Sequence, residues 1–146
     1  TYRKELIQAC IEIKKSIVEA DFKEAELRKL LNLGHTLGHA IETLNNFELG
    51  HGSCVAAGTV MMAKACAKLG LCPYEDAESI AELTQSYALP TSTLFDTEEL
   101  YNATLHDKKS HADSIDIALI YGIGDVRIER KSFTELKRLI ELAKED

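Results

Sequence analysis

No stretch of the sequence reaches the roughly 18–20 consecutive apolar residues that a membrane-spanning helix needs, and nothing at its start has the pattern of a secretory signal. Basic charge is also short: 17 Lys and Arg stand against 24 Asp and Glu, a net charge of −7. That balance argues against nucleic-acid and membrane-surface binding. Cysteine occurs four times, at Cys10, Cys54, Cys66 and Cys72, without a CxxC pair. A paired-thiol metal or redox centre therefore has no motif behind it. The expectation is free buried thiols in a reducing cytoplasm. Internal repeats and low-complexity segments are missing too. So is an initiating Met: helical pattern begins directly at Thr1, and the expectation is a chain cut from a longer protein.

What is present describes one globular domain over residues 1–146, with 45% hydrophobic and 28% charged residues. Leu6, Ile7, Cys10, Ile13, Ile17 and Val18 recur at helical spacing and predict a helix over 2–20. EAELRKLL predicts a short helix over 24–31, with Asn32 and Gly34 able to bend it. Helix resumes over 36–46 and stops at Asn45-Asn46. A long Ala-, Gly- and Met-rich helix is expected over 53–69, so a neighbour should pack close to it. Gly70 and Pro73 end that helix. A charged helix over 74–87 and another over 97–106, capped by Thr97, follow. The period then changes to two. SIDIALIY and VRIE, around a Gly-rich turn, predict a small β-hairpin near residues 114–129. Ser132 or Thr134 caps a last helix that runs to about Leu142. The fold class is mainly α.

The segment LNLGHTLGHAIE, residues 31–42, carries the chemistry. His35 and His39 are four apart and share a helix face, a spacing that can chelate a metal. His51 opens the next helix, and an antiparallel helix pair would bring it back toward His35. Spacing alone does not decide which two of the three bind. Arg28 and Asn32 precede them, so a helix running straight through would line Arg28, Asn32, His35 and His39 along one stripe. Guanidinium, amide and imidazoles on one face suit a polyanion such as a phosphate-bearing acid, and a solvated polar face is the plain alternative. A second cluster, His106-Asp107-Lys108-Lys109-Ser110-His111, falls between the last long helix and the hairpin, where a loop is expected. Asp21, Glu24 and Glu26 form a charged turn that capping or solvent exposure explains. Gly34 and Gly38 cost helix stability. They are read as room for a ligand or another backbone, so that Gly34→Ala or Gly38→Ala would leave the helix as stable or more so and impair binding.

Taken together, Lys14-x-x-Ile-Val-x-x-Asp21, Arg28-x-x-Leu-Asn32-x-Gly34-His35-Thr-x-Gly38-His39-Ala-Ile-Glu42, His51-Gly-x-x-Val55, Leu89-Pro90-Thr91 and Asp107-Lys108-Lys109 resemble the 3-dehydroquinate synthase family, within the sugar-phosphate cyclases. GHTxGHAIE with a following HG at this distance is the specific part, and order and spacing hold over nearly the whole chain. The resemblance implies the helical C-terminal domain of an enzyme whose N-terminal domain binds NAD and is absent from this chain. It implies a divalent metal, zinc or another ion such as cobalt, held by His35, His51 and a glutamate that would precede Thr1. His39 then contacts substrate or supports the metal ligands. Lys14, Arg28, Asn32, His39 and Lys108 match substrate-binding positions, with His39, Lys14 and Lys108 the catalytic candidates. The implied substrate is a phosphorylated seven-carbon keto acid, 3-deoxy-D-arabino-heptulosonate 7-phosphate. It is converted to 3-dehydroquinate and phosphate by transient oxidation, elimination, re-reduction and ring closure. The substrate phosphate itself can take the proton, in keeping with the lack of an obvious general base.

Ser53 stands where many relatives have glutamate, and Thr59 where methionine is common, which leaves a sister cyclase such as 2-deoxy-scyllo-inosose synthase open. The other alternative is a free-standing metal- or anion-binding module, or half of a two-chain enzyme. With two of three expected metal ligands and no NAD domain, the chain alone is expected to be inactive. Full-length relatives are often homodimers.

Overall fold

The computed structural model describes residues 2–21, 27–106 and 113–145. Six α-helices, a short 3₁₀ helix and one hairpin make up the described chain: α1 (Tyr2–Ala20), the 3₁₀ helix (Leu27–Asn32), α2 (His35–Leu44), α3 (His51–Lys68), α4 (Tyr74–Ser86), α5 (Thr97–His106), β1 (Ser114–Gly122), β2 (Asp125–Ser132) and α6 (Phe133–Lys144). The mainly α architecture with a single hairpin is the expected one. No helix among the described residues is long and apolar enough to cross a membrane.

α3 is the central element. Its small residues bring neighbours close, and Cys54, Ala57, Val60, Met61, Ala63, Ala65 and Cys66 are all fully buried. α2, α4, α6 and β1 surround it. Leu37 and Ile41 from α2, Leu136 and Ile140 from α6, and Ile117, Leu119 and Ile120 from β1 complete the core. Burying each such side chain contributes about 1.5–3 kcal/mol. Gly70, with φ +73, ends α3 in the left-handed turn that glycine takes without strain.

Local chemistry sets most boundaries. Ser132 caps α6 in a reciprocal box with Glu135: the Glu135 N–H donates to Ser132 Oγ, and the Ser132 N–H to the Glu135 carboxylate. Of the two expected caps, Ser132 is the one used. α5 differs from expectation: Asp96, not Thr97, is its cap, exchanging 2.8 Å hydrogen bonds with Glu99 in the same reciprocal way. β2 runs past 129 to Ser132 because Lys131 and Ser132 still pair with Ile115 and Ser114. The Ile123 N–H at the hairpin turn donates to Asp76 of α4 at 2.8 Å.

Further expectations fail. The helix expected over 24–31 is described only from Leu27, and there it is 3₁₀; Glu24 and Glu26 lie outside the described residues. α1 forms, but it buries no residue: Leu6, Ile7 and Ile13 are 42%, 60% and 60% exposed. Its apolar spacing is real, but among the described elements it packs chiefly against the 3₁₀ helix. Cys10, on α1, is accordingly exposed rather than buried, while Cys54, Cys66 and Cys72 are free and buried as expected. Burial pushes the Cys66 thiol up to about 11.

Candidate metal and substrate site

The site is built on the contact between α2 and α3. Gly34 precedes α2 with φ 74 and ψ −11, left-handed. A Cβ there would stand 2.1 Å from Thr59 Oγ1 and 2.7 Å from the Val55 carbonyl oxygen. A Cβ on Gly58 would stand 2.3 Å from the Gly34 carbonyl oxygen and 2.7 Å from the Gly38 nitrogen. Gly38 faces Val55, and Gly34 faces Gly58 and Thr59, so the two helices run antiparallel with their backbones touching. The glycines therefore serve helix packing. Alanine at Gly34 or Gly38 would not leave the fold as stable or more so: the first would be strained and blocked by backbone, and the second would press on Val55.

This packing gathers the three histidines. Ring centroids lie 5.3 Å apart for His35–His39 and His35–His51, and 5.6 Å apart for His39–His51. Each ring offers a nitrogen within 4.8 Å of those of the other two, with His35 half-buried and the others exposed. The Nδ1 of His35 lies 3.1 Å from the Leu33 carbonyl oxygen. The Nδ1 of His51 lies 3.1 Å from Glu42 Oε2. Both oxygens only accept, so each neutral ring carries its proton on Nδ1 and keeps its lone pair on Nε2. Nitrogens around a tetrahedral zinc sit about 3.4 Å apart, given Zn–N of about 2.0–2.1 Å. The three donors, all within 4.8 Å of one another, approach that spacing. Neutral imidazoles held in this way fit zinc or cobalt.

Beside the cluster lie two adjoining clefts. One, of about 480 Å³, is lined by Lys14, Arg28, Lys29, Asn32 and His35. The other, of about 240 Å³, is lined by Asn32, His35, Thr36, His39, Thr104 and Asp116. Asn32 and His35 belong to both. The stripe expected from a continuous helix does not exist, because the 3₁₀ helix and the turn at Leu33-Gly34 break it. The fold nonetheless brings Lys14, Arg28, Asn32, His35 and His39 around two adjoining clefts that share Asn32 and His35. Asp21 accepts a 3.0 Å hydrogen bond from the Arg28 N–H and is buried, so of the two explanations offered for it, capping and solvent exposure, capping is the one observed. His106 ends α5, exposed. Lys108, with Asp107, Lys109, Ser110 and His111, lies outside the described residues.

Two features were not read from the sequence. Glu42 meets His51 Nδ1; its position three residues after His39 and seven after His35 puts it on the same face of α2, a signal that was available. Asp116 on β1 ties down the 3₁₀ helix: Lys29 Nζ donates to it at 2.7 Å and Arg130 Nε at 2.9 Å. The Arg130 hydrogen bond, then that from Lys29, holds the Asp116 carboxyl at about 2, below its ordinary 3.8.

The fold is shared with two kinds of solved synthase. A solved 2-deoxy-scyllo-inosose synthase, complexed with carbaglucose-6-phosphate, NAD+ and Co2+, superposes with a TM-score of 0.74 at 24% identity, covering 92% of this chain and 39% of that one. The 2-epi-5-epi-valiolone synthase of Streptomyces hygroscopicus subsp. jinggangensis 5008, with NAD+ and Zn2+ bound, does so at 0.73 and 20% identity, covering 98% and 39%. At such identities the likeness is one of fold. The family comes from sequence. The model of the 3-dehydroquinate synthase C-terminal family matches residues 1–110. The 3-dehydroquinate synthase of Thermococcus kodakarensis is 37% identical over 142 residues, 97% of this chain and 40% of that one. That of Corynebacterium diphtheriae is 40% identical over 134 residues, 90% and 37%. The chain belongs to the 3-dehydroquinate synthase C-terminal family, and it spans about 40% of the length of the curated relatives it matches.

Proposed function

We propose that this chain is the metal- and substrate-binding part of a 3-dehydroquinate synthase, a lyase-type cyclase of the shikimate pathway in the cytoplasm. Its substrate would be 3-deoxy-D-arabino-heptulosonate 7-phosphate and its products 3-dehydroquinate and phosphate. The observation that carries this reading is the three-imidazole cluster, with donor nitrogens within 4.8 Å of one another, opening onto a cleft lined by Lys14, Arg28 and Asn32. His35 and His51 would hold a divalent ion, zinc or cobalt, which when bound polarises the substrate hydroxyls as a Lewis acid. NAD, held by a part of the enzyme outside this chain, would supply the transient oxidation.

The chain's own residues have complementary tasks. Arg28 presents a planar fork that suits a phosphate or carboxylate group. Lys14 adds a second positive charge across the same cleft, and together they neutralise a ligand that would carry several negative charges. Asn32, bordering both clefts, can donate from its amide nitrogen and accept on its oxygen, as a sugar hydroxyl requires. His39, exposed beside the other two imidazoles, would bond a reacting hydroxyl and hold its proton. Lys108 would add a cation to the same anion.

The test is phosphate release and dehydroquinate formation by the complete enzyme that contains this chain, given the heptulosonate phosphate, NAD+ and Zn2+. Turnover is expected, with Arg28→Ala and His35→Ala each lowering kcat/KM by about 10²-fold or more. Turnover of glucose 6-phosphate instead would move the protein to the 2-deoxy-scyllo-inosose synthases. Dehydroquinate from the 146-residue chain alone would contradict the reading that it is one part of the enzyme.

A further inference from the structure

His35 and His51 are oriented by different means. His35 leans on a backbone carbonyl, that of Leu33, two residues away. His51 is the first residue of α3, after a connection in which Asn46 and Phe47 take left-handed φ values of 52° and 62°, and no side chain caps that helix start. Its side chain is 51% exposed. An imidazole so placed would sample several rotamers, and its neutral ring would sample both tautomers. Glu42 removes that freedom. Its side chain is only 18% exposed, and its carboxylate meets His51 Nδ1 at 3.1 Å.

We propose that Glu42 is a positioning residue: it fixes the rotamer and the Nδ1–H tautomer of His51, and so sets the affinity of the histidine cluster for a divalent metal. This rests on the metal reading above. Glu42 lies on the face of α2 that carries His35 and His39, so a single helix supplies two donors and the group that aims the third. A carboxylate accepting from Nδ1–H also enriches the ring in electron density and strengthens Nε2 as a donor. Glu42 is not itself among the donors gathered within 4.8 Å. Its charge reaches into the first turn of α3, where the buried Cys54 thiol is pushed up by burial and then by Glu42. A negative charge at that helix start also favours the helix dipole, so a loss of stability alone would say nothing about positioning.

The experiment is a Co2+ titration of the complete enzyme that contains this chain, in competition with a chromophoric chelator. Wild type is compared with Glu42→Ala, Glu42→Gln, Glu42→Met, His51→Ala and the His35→Ala/His51→Ala pair, with circular dichroism melts for all. Glu42→Ala is expected to bind Co2+ about 10–100-fold more weakly. Glu42→Gln, which still accepts a hydrogen bond but has no charge, should lose less. Nitrogen NMR of the metal-free enzyme at alkaline pH should find His51 protonated on Nδ1 in wild type and shifted toward Nε2–H in Glu42→Ala. Co2+ affinity within twofold of wild type in a folded Glu42→Ala, with His51→Ala impaired, overturns the proposal and leaves the metal site standing. Wild type binding no better than the double variant overturns the metal reading and the proposal with it. If Glu42→Ala melts too early to titrate, Glu42→Met, similar in length but unable to accept the hydrogen bond, decides: an affinity and tautomer equal to wild type would overturn the proposal.

Discussion

Asp116 holds two cations from two different elements on one carboxylate, and its side chain is three-quarters buried. Its folded carboxyl sits at about 2, against an ordinary 3.8. A lowered carboxyl stabilises the fold fully above the unfolded value, and the contribution fades as pH falls through the folded one. Asp116→Asn should therefore lower stability at pH 7 by about 1 kcal/mol, the size expected for a partly exposed pair. The gap in Tm to wild type should close between pH about 4 and about 2. A gap that persisted at pH 2 would mean that the substitution acts through packing. At this scale the sequence was only half legible. His35, His39 and His51 announced themselves by spacing, and so did Arg28 and Asn32. Lys29 and Asp116 are 87 residues apart, and nothing local to either points to the other.

Helix α3 and its contact with α2 carry the energetics of the site. Gly34→Ala places a Cβ on a left-handed backbone and against Val55 and Thr59; Gly58→Ala drives a Cβ into the backbone of α2. Each should cost about 2–4 kcal/mol, from left-handed strain or overpacking. Thermal melts would read this as a clear drop in Tm. A Tm unchanged in both variants would mean that the helices separate freely. Ser132→Ala, which removes one cap, should cost only about 1 kcal/mol. The elements themselves were legible, because periodicity, punctuating glycines and capping residues act locally. Of the readings of the glycines in GHTLGH, room for another backbone holds and the expected stability of the alanine variants does not, because which backbone lies opposite is set by α3.

For the whole molecule, the outlying feature is α1. Its face of Leu6, Ile7, Ile11 and Ile13 is exposed, and the helix buries no residue, yet it carries Lys14 to the cleft. Amphipathic spacing was legible in the sequence; what that face packs against was not. Ile7→Glu and Ile13→Glu should each change stability by less than about 0.5 kcal/mol, since no core is cut. They should also reduce any self-association of the chain seen by light scattering. A large fall in Tm would mean that α1 is part of the folded core.

The four cysteines give the chain a built-in reporter of its own opening. Cys10 stands in solvent on α1, whereas Cys54, Cys66 and Cys72 are sealed under α3 and its neighbours. With its thiol near 11, Cys66 presents only about 0.1% thiolate at pH 8, so burial protects it chemically as well as sterically. A thiol reagent should therefore label one site per chain at once and the other three only as the core breathes. The interval between the two phases is a clock for core opening, and a metal bound across α2 and α3 should slow it.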